Sequence, residues 1–180
     1  MNSTKQLPQF HHSGRFAGRS DVGTHSHPGT ELVLVVEGTC SVDMEGQAFT
    51  GGAGTLFVVP SGSPHNQREH AFTRTHYVVF TASPQLFDDT ARAVSIDTAA
   101  ERWALRWVDD LCGLSEESSG RSTELAAGLL HSLLERVKQI EQQRDNRRAM
   151  HPALAKALTL VERDPAATDR KFKPPTTRKW

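Results

Sequence analysis

His25 and His27 stand two residues apart, and Glu31 follows them across Pro28 and Gly29 in the stretch THSHPGTELVLVVEG, residues 24–38. On a strand, side chains two apart point to one face, so both imidazoles can converge on a single ion. If Glu31 opens the next strand, it shares a face with Val33 and Val35 and approaches both rings from the side. His65 is the fourth candidate, presented by the stiff loop 60–64 of GTLFVVPSGSPHNQRE. Three imidazoles and a carboxylate suit a divalent transition metal such as Mn, Fe, Co, Ni, Cu or Zn, and mixed nitrogen and oxygen ligation does not choose among them. The alternative chemistry needs no metal: the same four side chains line a pocket and hydrogen-bond a small polar molecule.

Such a site has to be held by short strands, and residues 31–80 supply them. The runs ELVLVVE, TCSVDM, QAFT, TLFVVP and THYVVF are separated by glycine-bearing turns at 37–38, 45–46, 51–54 and 61–64, which predicts a sandwich or small barrel. Within THYVVF, His76 shares a strand face with Arg74 and Val78, and is a further candidate for the pocket wall. His11 and His12 lie in a polar arm over residues 1–20 and are expected to face solvent, and His70 is expected on a loop.

After Ser83 and Pro84 the pattern changes to helical. Ala100, Trp103, Ala104, Trp107, Val108, Leu111 and Cys112 form one stripe over 98–112, with Trp103 and Trp107 read as packing against the barrel. Residues 113–120 form a break. From 121 to 143, Ala126, Leu130, Leu133, Val137 and Ile140 are spaced by four, three, four and three, a seam that suits either a partner helix or the chain's own barrel. A third helix is predicted from His151 and Pro152, and then ATDRKFKPPTTRKW, with five basic residues against one acid, reads as a disordered tail.

The whole chain sets bounds on function. At 180 residues it is one domain plus an extension, and its 37% apolar content is that of a globular protein. Lys plus Arg equal Asp plus Glu at 21 each, so the net charge calls for neither nucleic acid nor an anionic membrane. No apolar run approaches a bilayer span and the N-terminus lacks a signal-peptide core, so a cytoplasmic location is the default expectation. Cys40 and Cys112 make no disulfide framework and are expected as buried free thiols. Neither a nucleophile elbow nor a phosphate loop is present.

The spacing HxHxxxE followed by six residues and Gly38, and GxxxxxPxGxxH from Gly54 through Pro60 and Gly62 to His65, resembles the two motifs of the cupin superfamily. The resemblance implies a mainly β fold with α-helices, a double-stranded β-helix or jelly-roll barrel followed by two to three helices. It also implies His25, His27, Glu31 and His65 as a metal tetrad. Two positions depart from the pattern: Arg19 stands where a glycine is usual, with Gly18 one step early, and Glu69 stands where Asn usually ends the second motif. Both shape turns rather than bind metal.

A wider likeness covers nearly the whole chain. The barrel with HSHPGTELVLVVEG and LFVVPSGSPHN, the helices after it, and HPALAKALTLVERDPAA together resemble an AraC-type transcription regulator. The likeness implies an arm (1–20), an effector-binding barrel (21–84), a helical dimerisation segment (85–147) built on the 126–140 seam, and a remnant of the first DNA-binding helix with its tail (148–180). It further implies a small-molecule effector in contact with His25, His27, Glu31 and His65, to which strand alternation adds His76. The chain would pair as a homodimer or with a full-length relative. The DNA-binding half is expected to be cut short, leaving weak, salt-sensitive contact with phosphates at most. The competing expectation is a small metal-dependent cupin enzyme, a dioxygenase or isomerase, on the same tetrad.

Overall fold

A computed structural model describes residues 6–116 and 121–149 and positions 154, 156 and 159. The chain divides into two units, Met1–Ile140 and Glu141–Trp180. The first contains the β-structure and nearly all of the core.

The layering follows from one strand, β3 (Thr30–Glu37), in which residues 30–35 are all buried. Leu32 and Leu34 belong to one apolar cluster, Val33 and Val35 to another. A strand covered on both faces has no reason to alternate apolar with polar residues, which is why LVLVV is continuous. Around it stand β1 (Gln9–Gly18), β2 (Val22–His25), β4 (Thr39–Met44), β5 (Gln47–Gly52), β6 (Thr55–Val59), β7 (His65–Glu69), β8 (Thr73–Thr81) and β9 (Arg92–Ser95). They form a five-stranded sheet, β1-β8-β3-β6-β9, and a four-stranded sheet, β2-β7-β4-β5, with every neighbouring pair antiparallel. Val33, Val35, Phe57 and Val59 from the first sheet meet Cys40, Val42 and Met44 from the second in the barrel interior. This is the mainly β jelly-roll that the motifs imply.

Two turns show why glycine is required. At Gly38 φ is +81° and a Cβ would lie 2.4 Å from the Phe72 carbonyl oxygen; at Gly54 φ is +86° and the nearest atom, the Ile96 carbonyl oxygen, would be 2.7 Å away. Only a residue without a side chain fits either place.

Helix α1 (Arg102–Glu116) and the part of helix α2 (Arg121–Ala149) up to Ile140 cover the outer face of the five-stranded sheet. Ala104, Val108 and Leu111 from α1 and Leu130, Leu133, Leu134 and Val137 from α2 pack in one cluster with Leu34, Leu56, Val78 and Phe80. Each leucine so buried stabilises the fold by roughly 1.5–3 kcal/mol. Buried Glu101 at the start of α1 accepts from Arg136 Nε of α2 at 2.8 Å, which joins the helices.

Several expectations change. Residues 9–18 are not a loose arm but a ten-residue strand paired along β8, because Phe10 and Phe16 have sheet partners in Phe80 and Thr75. Strands therefore extend on both sides of residues 21–84, with β9 beyond them. α1 continues through Gly113 to Glu116, into the stretch read as a break. In the 126–140 seam, Ala126, Leu130, Leu133 and Val137 are at most 1% exposed and Ile140 packs against the same cluster. The apolar stripe meets the chain's own barrel and is not open to a second copy. Trp107 packs on the core as expected, but Trp103 is half-exposed and stacks on Trp107, with ring centroids 6.2 Å apart. Cys40 and Cys112 are free and buried. The DNA-binding remnant and basic tail lie outside the described residues, save for helical positions 154, 156 and 159. No helix among the described residues is long and apolar enough to cross a membrane.

Candidate functional site at the barrel mouth

His25 ends β2 and pairs directly with His65 at the start of β7, so the antiparallel register sets the first two imidazoles side by side. Their ring centroids are 4.2 Å apart, and His27 lies 5.1 Å from His65 and 5.8 Å from His25. One nitrogen of each ring lies within 4.8 Å of the others, as a shared ion would require. The loop bearing His65 is latched: Gly62 N donates to the His27 carbonyl at 3.0 Å and Gly29 N to Ser61 Oγ at 2.9 Å.

Ring orientation favours coordination. His25 Nδ1 lies 2.9 Å from the Gly23 carbonyl oxygen, and His65 Nδ1 lies 2.9 Å from that of Ser63. A carbonyl can only accept, so each Nδ1 carries the proton and donates it, leaving Nε2 as a lone pair aimed inward. His27 has both ring nitrogens buried without a hydrogen-bond partner, and His65 Nε2 lacks one as well. Orphaned buried imidazole nitrogens are costly unless something binds them, and the convergence of one nitrogen from each of His25, His27 and His65 fits a transition-metal ion.

Glu31 opens β3 on the Val33 and Val35 face, as its spacing predicts. Its Oε2 lies 3.1 Å from His65 Nε2 and 3.5 Å from His27 Nε2. The His65 contact is close enough for charge attraction once that ring is protonated, and it is not aligned as a hydrogen bond. Burial works against protonation of His65, yet Glu31 and the Ser63 carbonyl outweigh it, so the imidazole pKa is raised. All four residues named from the motifs are thus gathered at one place, the three histidines as a cluster and Glu31 against His65 and His27.

Below the histidines a cavity of about 320 Å³ opens into the barrel, walled by Phe16, Val22, Val33, Val42, Gln67, Thr75, Tyr77 and His12. Sequence reasoning missed most of this wall. His12 is exposed, as expected, yet also borders the cavity: the β1 register shifts between Phe10 and His12, and such a bulge re-aims a side chain. His12 thereby lines the cavity edge-on to Tyr77, with ring centroids 6.0 Å apart. Burial lowers its pKa, and His27 adds to that effect. His76 is a correction in the other direction. It does share a face with Val78, but that face packs under the helices, where His76 Nδ1 lies 3.8 Å from Asp109 Oδ1. Thr75 and Tyr77 point inward instead. Glu69 also does more than shape a turn, since it accepts a short hydrogen bond from Gln67 Nε2 within the barrel.

A family model for AraC-like ligand binding domains matches residues 7–151. The fold and the extent of that match place the chain in this family of cupin-type ligand-binding domains. Among curated proteins none matches. Solved cupin structures are similar over part of the chain. A Salmonella typhimurium protein described as ethanolamine utilization protein Q is 24% identical over 39% of this chain and 58% of its own, with a TM-score of 0.36. A cupin-2 domain protein from Shewanella frigidimarina is 20% identical over 43% of this chain and 80% of its own, at 0.34. Salicylate 1,2-dioxygenase from Pseudoaminobacter salicylatoxidans is 25% identical over 40% of this chain and 19% of its own, at 0.33. The chain spans little more than half of the first of these.

Proposed function

We propose that this chain is the effector-sensing part of an AraC-type transcription regulator, taking a small polar molecule into the barrel beneath the histidines. The observation that carries the reading is the position of β8. Thr75 and Tyr77 on one side of it wall the cavity, while His76 and Val78 on the other side lie under α1 and its neighbours. An occupant that favours one setting of this strand shifts the population of helix positions, which is all that a sensor needs.

His25, His27 and His65, with Glu31 beside them, are the residues that would hold a divalent transition metal. A bound ion would supply an electrophilic seat for an oxygen of the effector. The Gly23 and Ser63 carbonyls orient the rings, and the valines of the wall exclude water from the cavity's sides. Pairing with a second copy, or with a longer relative that carries a DNA-binding half, would use helix surfaces other than the buried seam. Co-purification with such a relative tests that pairing, and recovery of single chains alone counts against it.

The same histidine cluster supports a second reading, a metal-dependent cupin enzyme. Elemental analysis of the untagged chain beside its His25→Ala/His27→Ala variant comes first. Stoichiometric metal that disappears in the variant establishes the centre. Reversible ligand binding without turnover by the loaded chain then favours the sensor, and turnover favours the enzyme.

A further inference from the structure

The cavity wall has two chemically different ends. At the mouth stand the three clustered imidazoles and the Glu31 carboxylate, joined by His12, and no lysine or arginine lines the cavity among the described residues. In the register of β4 with β7, Met44 faces His65 and Val42 faces Gln67, so Gln67 is one inward-facing step deeper. Its amide nitrogen is committed below that level: Nε2 donates to the Glu69 carboxylate and lies 3.5 Å from Thr75 Oγ1. A carboxylate accepts and never donates, so this amide cannot be flipped. The polar atom left to Gln67 is its carbonyl oxygen, an acceptor beside the apolar side chains of Phe16, Val22, Val33 and Val42, with Asn66, Thr75 and Tyr77 also on the wall.

We infer from this that the barrel takes a small carboxylic acid bearing a hydroxyl group on an apolar body. The carboxylate meets the histidine end, where a divalent ion held by His25, His27 and His65 would outweigh the single charge of Glu31, attract an anion and repel an ammonium. The apolar body fills the space between the valines and Phe16. The hydroxyl donates to Gln67 Oε1, which a ligand lacking a donor would leave unsatisfied. The inference rests on the barrel being the effector site and narrows what that effector is.

Four probes of similar size separate the contributions: benzoate, 4-hydroxybenzoate, 3-hydroxybenzoate and benzylamine, each titrated calorimetrically into the Zn(II)-treated chain and into its Gln67→Leu variant. The expected order is one or both hydroxybenzoates roughly 3- to 10-fold tighter than benzoate, the span of one net hydrogen bond, with benzylamine silent. In the variant the advantage of the hydroxyl disappears while benzoate still binds. If Gln67→Leu fails to fold, the order within the unaltered chain decides the matter. Equal affinity for benzoate and both hydroxybenzoates, or binding of benzylamine in their place, overturns the inference while leaving an effector site. Silence toward all four with a clear Zn(II) heat overturns it as well and leaves the metal centre. A chain that takes neither zinc nor any probe overturns the reading of the barrel itself.

Discussion

Arg15 of β1 holds Asp109 of α1 by two groups at once, its Nη2 donating to the carboxylate at 3.0 Å and to the main-chain carbonyl at 2.9 Å. Directly across the sheet register from Arg15 is His76, which faces the same aspartate. The strand edge that closes the cavity is thus fastened to the helix layer by side chains.

Asp109→Asn keeps the main-chain acceptor and removes the charge. Both side chains are partly exposed, at 35% and 47%, so the expected loss is small, about 0.2–1 kcal/mol. Urea unfolding should show this modest change in midpoint, and any effector-dependent change in helix-surface labelling should weaken.

His76 gives the fold a pH dependence of definite sign. Burial lowers its pKa, Asp109 partly opposes this, and Arg15 and Arg74 add to the lowering. A histidine whose folded pKa lies below its ordinary value of about 6.5 stabilises the fold fully above that value. The contribution is lost as pH falls through the interval down to the folded pKa. Thermal melts from pH 8 to pH 5 should flatten on the acid side in His76→Gln relative to the unaltered chain; identical acid limbs would contradict this assignment.

The four residues at the mouth should behave unequally. His65→Ala removes the ring nearest both His25 and Glu31, and metal affinity is expected to fall by more than about 100-fold, since even orienting partners cost 10–100-fold. Metal-binding titrations monitored by a chelating dye would show it. Affinity within a factor of two would exclude His65 as a ligand.

Leu130→Ala tests where the helical seam packs. A fully buried leucine truncated in a close-packed core costs about 2–5 kcal/mol. Because the contact is within one chain, the loss should be independent of protein concentration. A concentration-dependent melting temperature in the unaltered chain that vanishes in Leu130→Ala would point to an interface between copies instead.

Much of the site was legible because motif spacing and strand parity are local. Two residues apart on β2, and the Glu31, Val33, Val35 alternation on β3, hold in the structure. Parity has a limit, however: it says which residues share a face, not which face is inside. On β8 both faces are buried, so His76 gave no sign that its side lies beneath helices. The role of His12 depends on a bulge, which breaks the alternation that sequence reading relies on. β9 escaped notice because RAVS is short and has a single fully buried member, Val94. The 126–140 seam has one periodicity for two partners, and only the packing distinguishes them.

The two thiols turn the layering into something that can be timed. Cys40 lies in the barrel interior, its pKa pushed up to about 12 by burial and by Glu69, while Cys112 lies at the helix layer with its Sγ 3.2 Å from the Gly14 carbonyl oxygen. Neither meets an alkylating reagent in the closed fold. Each becomes a clock for its own compartment: Cys112 starts when the helices lift from the strands, and Cys40 only when the barrel itself comes apart.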